Sequence, residues 1–128
     1  MRNAISKKTI LVADDESNVR ESARRILSQD YEIIEAANGE EAVNLAKNKI
    51  PDVILMDMMM PRMDGLAACD EIKNNEITKN IPVCILTAEP TEFNRRLARE
   101  VWGADQCITK PFNSQDLLNK LADRLTVR

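Results

Sequence analysis

Five side chains able to do chemistry stand at or just past the ends of short apolar runs. Asp14 and Asp15 follow Thr9 to Ala13 (TILVA), and Asp57 follows Val53 to Met56 (VILM). Thr87 closes Val83 to Leu86 (VCIL), and Lys110 follows Gln106 to Thr109. A carboxylate at the end of a buried run is costly unless something stabilises its charge. Three carboxylates at one site repel one another and raise each other's pKa unless a cation joins them. No basic residue flanks them in sequence, so a hard divalent ion is the natural partner. Magnesium prefers a few carboxylates together with water and phosphate oxygen. Lys110 adds an ammonium and Thr87 a hydroxyl. A metal, an ammonium and a hydroxyl facing one carboxylate make a cradle for a phosphoryl group. Asp57 is then the nucleophile, and the other groups neutralise charge on the transferring phosphorus.

Each residue alone has an ordinary role. Asp14-Asp15 suits a helix N-terminus, Asp57 a turn, Thr87 a strand and Lys110 a solvated surface. The chemical case rests on their joint placement, and that depends on the elements between them. Val19, Ala23, Ile26 and Leu27 form the stripe of a first helix, with Ser17 as its expected cap. Tyr31 to Ala36 is a second strand. Asn38 and Glu41 make a capping-box-like pair for a second helix with the stripe Ala42, Leu45 and Ala46. The Asp57 strand follows, bounded by Pro61, and Asp64-Gly65 opens a third helix carrying Leu66, Cys69 and Ile72. After a polar loop from Asn74 to Asn80 comes the Thr87 strand. Pro90-Thr91 opens a fourth helix with Phe93, Leu97 and Val101 on one face, ended by Gly103. A short fifth strand, Gln106 to Thr109, precedes Lys110-Pro111. Asn113 or Ser114 caps a last helix with the stripe Leu117, Leu118, Leu121 and Leu125.

Five strands alternating with five helices predict an α/β fold, a parallel sheet with helices on both faces. Ligands of such sheets sit outside the carboxyl ends of the strands, where strand order reverses. An order of 2-1-3-4-5 places that point between Asp14-Asp15 and Asp57.

The 128 residues suit one domain, with a core able to form without disulfides or structural metal. Apolar residues make up 44% and charged residues 30%, with a net charge of −3 and no long basic run. Direct nucleic-acid binding is not expected. The absence of histidine excludes Cys/His zinc sites and His-based triads. Cys69, Cys84 and Cys107 are expected to be small buried apolar residues in a reducing compartment. Met58-Met59-Met60 is expected to be adaptable packing. Met1 to Thr9 lacks an apolar signal core, and no apolar segment approaches membrane-spanning length.

Taken together, Leu11 to Asp15, Asp57 with Met60-Pro61 and Asp64-Gly65, Ile85 to Ala88, and Gly103 to Asp105 leading to Thr109 to Phe112 resemble the receiver domain of two-component response regulators. The resemblance covers about residues 8 to 125, and it implies a single receiver domain over 1–128 with no output domain in this chain. It implies the flavodoxin-like (βα)5 doubly wound fold, order 2-1-3-4-5, an order already known for chemotaxis receivers. By this resemblance Asp57 accepts a phosphoryl group from a histidine kinase or histidine phosphotransfer protein. Asp15, Asp57 and the Met59 backbone carbonyl bind Mg²⁺ directly, and Asp14 helps through water. Thr87 and Lys110 bind phosphoryl oxygens, and the Lys110-Pro111 peptide is cis.

The resemblance further implies a cytoplasmic signalling protein, not a turnover enzyme, although it promotes its own phosphorylation and dephosphorylation. It is a monomer or a phosphorylation-dependent dimer, with no membrane contact. The fourth helix, fifth strand and fifth helix form the surface that controls an unspecified downstream partner. The chain departs from the family at Cys107, where a fifth-strand Tyr or Phe is usual, which touches signal transmission more than phosphoacceptor chemistry.

Three rival readings fit less well. A haloacid-dehalogenase-like phosphatase needs an acid–base Asp two residues after the nucleophile, where this chain has Met59. A flavodoxin-like redox module needs a phosphate loop after the first strand, where Asp14-Asp15-Glu16 would repel phosphate, and aromatics are only 3% of the chain. A degenerate receiver acting as a docking module would lack some of the acidic, hydroxyl and lysine positions, and all five are present.

Overall fold

The computed structural model describes residues 7–88 and 91–125. Its strands are β1 (Thr9–Ala13), β2 (Glu32–Ala36), β3 (Val53–Asp57), β4 (Val83–Thr87) and β5 (Gln106–Thr109). Its helices are α1 (Ser17–Leu27), α2 (Gly39–Lys49), α3 (Gly65–Lys73), α4 (Glu92–Arg96) and α5 (Ser114–Leu125). A π-helical stretch, Leu97–Val101, continues α4. The strands pair in parallel in the order β2-β1-β3-β4-β5, as the sequence pattern and the resemblance imply.

The burial follows from the period of two along each strand. Leu11, Ala13, Ile54, Met56, Val83 and Ile85 point to one face, where Ala42, Val43 and Ala46 of α2 and Ala68, Cys69 and Ile72 of α3 cover them. Ile10, Val12, Val53, Leu55, Cys84 and Leu86 point to the other, beneath Ala23 and Leu27 of α1 and Leu117, Leu121 and Leu125 of α5. Strands β3 and β4 are buried throughout, so their sequences are unbroken apolar runs. Edge strands β2 and β5 are only half-buried and read less cleanly.

Local chemistry fixes the helix starts. Asn38 Oδ1 accepts from Glu41 N–H at 2.8 Å, as the capping-box spacing predicts. The reciprocal Glu41 carboxylate, however, accepts from Ala37 N–H. Asp64 caps α3 by accepting from Ala67 N–H, and Asn113 caps α5 through Asp116 N–H. Ser17 does not cap α1: the helix begins at Ser17 itself and its N-cap, Glu16, makes no side-chain cap bond. Asp14 Oδ1 instead accepts from Glu16 N–H at 2.9 Å, so the turn is held from the preceding strand end.

The fourth helix differs most from expectation. Pro90, expected to open it, lies outside the described residues, and Thr91 caps it by accepting from Asn94 N–H. The predicted core stripe Phe93, Leu97 and Val101 faces outward, with Phe93 71% and Val101 60% exposed. Only Ala98 is buried. Cys69, Ile72 and Ala104 already cover the sheet near this helix, so a small residue is what meets it. The helix then turns wide, with Trp102 N–H bonded five residues back to Leu97 O.

Candidate functional site

The ends of β1, β3, β4 and β5 bring Asp14, Asp15, Asp57, Thr87 and Lys110 to one edge of the sheet. Asp14, Asp57 and Thr87 are buried, at 0%, 6% and 3% exposure, while Asp15 is exposed. One carboxylate oxygen from each of Asp14, Asp15 and Asp57 lies within 4.8 Å of the others. Lys110 Nζ lies 3.1 Å from Asp57 Oδ1, 3.2 Å from Asp14 Oδ2 and 3.7 Å from Glu16 Oε1. Lys110 N–H donates to Thr87 O at 2.8 Å, which ties the lysine to the end of β4. The Lys110–Pro111 peptide is cis.

Close backbone approach sets the position of Asp57. Gly65 N–H donates to Met58 O at 2.8 Å, docking the start of α3 against the strand end. A Cβ on Gly65 would overlap the Asp57 carbonyl oxygen, so only glycine permits the approach. Arg20 holds the other side of the site. Its guanidinium donates to Asp14 O and to Glu35 Oε1, pinning the acidic loop to α1 and β2.

The electrostatics follow from burial. Desolvation pushes the Asp57 pKa up to about 6, Asp14 adds to the rise, and Lys110 opposes it. Burial also raises Asp14, against the pull of the Glu16 N–H and Lys110. Burial draws the Lys110 ammonium down, but the Asp14 and Asp57 carboxylates more than offset it and its pKa is raised. Two buried carboxylates sharing one lysine, with a third beside them, leave negative charge unneutralised. An all-oxygen donor set of this kind fits a hard divalent cation.

A cleft of about 570 Å³ opens over these groups, bordered also by Glu16, Met59, Ala88 and Asn94. Asp57, Thr87 and Lys110 all line it, and it is open to solvent. The sequence-predicted Asp14, Asp15, Asp57, Met59, Thr87 and Lys110 border this cleft or its carboxylate cluster, whereas Pro111 lines a neighbouring cleft. Cys107 lies on β5 in register with Ile85, half-buried, and lines a separate cleft. The sequence pattern does not assign Glu16, Arg20 or Asn94 to the site, and it marks Gly65 only through the Asp64-Gly65 pair of the resemblance. Glu16 directly follows the acidic pair and Arg20 lies one helical turn further on. Asn94 has no comparable signal, because it reaches the site through the placement of α4.

The fold and this strand-end constellation are those of a receiver. The response regulator receiver domain model matches residues 10–122, and the chain belongs to that family. It is 40% identical over 115 residues to the phosphate regulon transcriptional regulatory protein PhoB of Pseudomonas aeruginosa, covering 89% of this chain. The chain spans 50% of that regulator's length. The chemotaxis protein CheY4 of Vibrio cholerae superposes with a TM-score of 0.88 at 30% identity, over 94% of this chain and 100% of that one. The receiver domain of a sensor histidine kinase from Pseudomonas aeruginosa PAO1 superposes with a TM-score of 0.87 at 28% identity, over 95% of this chain and all of that chain. That protein holds a magnesium ion coordinated in its active site cleft. The chain is thus a receiver domain of two-component signalling. Among the described residues no helix is long and apolar enough to cross a membrane.

Proposed function

We propose that Asp57 is the phosphoacceptor of this receiver. The observation that carries this is the buried Asp57 carboxylate with Lys110 Nζ at 3.1 Å, at the floor of an open cleft. An Asp57 carboxylate oxygen attacks the phosphorus of a phosphohistidine, the P–N bond breaks and the imidazole leaves. The Lys110 ammonium and the Thr87 hydroxyl donate to the phosphoryl oxygens as charge moves onto them. Asp15 and Asp57, with the Met59 backbone carbonyl, would hold Mg²⁺ directly, and Asp14 would help through water. The ion supplies charge neutralisation at the phosphoryl oxygens. The donor is a histidine kinase or histidine phosphotransfer protein. The module acts as a cytoplasmic signalling element, not as a turnover enzyme.

Incubation with a small phosphodonor and Mg²⁺ tests this. Label on the protein should be acid-stable, base-labile and absent from Asp57→Asn. Equal labelling of that variant would sink the assignment, and no labelling of the wild-type protein would favour a docking module without phosphotransfer.

A further inference from the structure

Away from the carboxylates, a second cleft of about 320 Å³ lies between α4 with its π-helical continuation, β5 and α5. Arg95, Arg99, Lys120 and Arg124 line it, with Cys107 and one acid, Asp105. Asp105 is already engaged, accepting from Val83 N–H at 2.8 Å and pairing with Lys73 at 2.8 Å. Arg124 is held in place by Gln106 Oε1 at 3.1 Å and by Asp105 O at 2.7 Å. Lys120 meets Asp116 only at 3.5 Å, in a partly exposed pair. Among the described residues Arg95 and Arg99 pair with no carboxylate, whereas the neighbouring Arg96 takes Glu100. Arg95 and Arg99 are spaced i, i+4 on one helix, and so are Lys120 and Arg124 on another. Like charges at that spacing destabilise a helix. Two such pairs face one another in a chain whose net charge is −3.

Cys107 lines the cleft from β5. Its short side chain is half-buried. Arg95, Arg99 and Lys120 line the same cleft, and although burial pushes the thiol pKa up, these cations pull the other way. We propose that this cleft binds a small phosphate-bearing ligand with at least two anionic groups, a diphosphate being the smallest. Guanidinium forks pair phosphate oxygens in a bidentate manner. The cleft is at the small end of ligand pockets, so it favours compact, dense charge over a long flexible acid.

The test is calorimetric titration of the full chain with sodium pyrophosphate in magnesium-free buffer, with phosphate and citrate in parallel. Pyrophosphate should bind best. Arg95→Gln/Arg99→Gln should weaken it about tenfold or more, as expected for the loss of hydrogen bonds to a charged ligand. Cys107→Tyr, which places a large ring at a lining position, should weaken it comparably. Cys107 is the least buried of the cysteines, so its alkylation reports occupancy directly. At ten times Kd, pyrophosphate should slow that alkylation about tenfold in the wild-type protein. Unchanged affinity in both variants would place the ligand elsewhere and overturn the proposal. Equal binding of citrate, or protection that appears with rising protein concentration and no ligand, would overturn it too.

Discussion

Asp14 and Asp15 are neighbours in sequence and opposites in environment. Both oxygens of Asp14 are taken, one by Glu16 N–H and one by Lys110, and the side chain is fully buried. Asp15 is exposed and, among the described residues, has no hydrogen-bond or ion-pair partner, so its carboxylate is free to meet a cation. Asp15→Asn should therefore weaken Mg²⁺ binding more than Asp14→Asn in calorimetry, and the reverse ranking would show the pair assigned wrongly. Asp57 carries a second prediction. Its pKa rises from 3.8 unfolded to about 6 folded, so between those values the folded state holds the proton more tightly. That stability is fully present below the unfolded pKa and is lost as pH rises through about 6. The loss is about 1–3 kcal/mol. Without Mg²⁺, Asp57→Asn should match the wild-type melting temperature near pH 4 and exceed it by about 5 °C at pH 7.5. A variant less stable than wild type at pH 7.5 would contradict this. Such charge effects were legible because Asp14, Asp15 and Asp57 sit beside apolar runs. Asn94 was not, because its part depends on where a distant helix lies.

Elements show the same division. The central strands could be read because burial on both faces leaves continuous apolar runs, and α2 could be read from Asn38 and Glu41. The fourth helix could not, since periodicity identifies which residues share a face but not whether that face meets the sheet. Phe93, Leu97 and Val101 do share a face, and together they line a cleft open to solvent. Gly65 joins two elements through backbone contact. Gly65→Ala should cost about 2 kcal/mol, because the new Cβ meets backbone of Asp57 and Met58 that cannot swing aside. Urea unfolding measures the loss, and phosphodonor labelling should fall as well, because Asp57 is displaced. An unchanged unfolding midpoint would mean that α3 can retreat at no cost.

At the scale of the whole molecule, the proposed phosphoryl group on Asp57 has a path to a distant surface through β4 and α4. Thr87 ends β4, and the segment after it leads into α4, which is anchored to the core through Ala98. An element held by so little buried apolar surface is cheap to move. On the proposed role of Asp57, a phosphoryl group there would give the Thr87 hydroxyl a new acceptor at the strand end and bias a two-state element by its differential affinity for the two positions. By the resemblance, a fifth-strand aromatic then swings into the space left behind. Cys107 has one rotatable side-chain bond and cannot make that swing. Structures with and without a beryllofluoride mimic should therefore differ between residues 88 and 91 and at the start of α4, with little change at Cys107. Phosphorylation should also change the fluorescence of Trp102, which is half-buried just beyond the π-helical stretch. No movement of the 88–91 segment would refute the coupling. A large rotamer change at Phe93 or Trp102 would move the reporting role to that side chain. Cys107→Tyr completes the test: it should strengthen the dependence of partner affinity on phosphorylation. If that dependence stays as it was, the cysteine does not limit the switch.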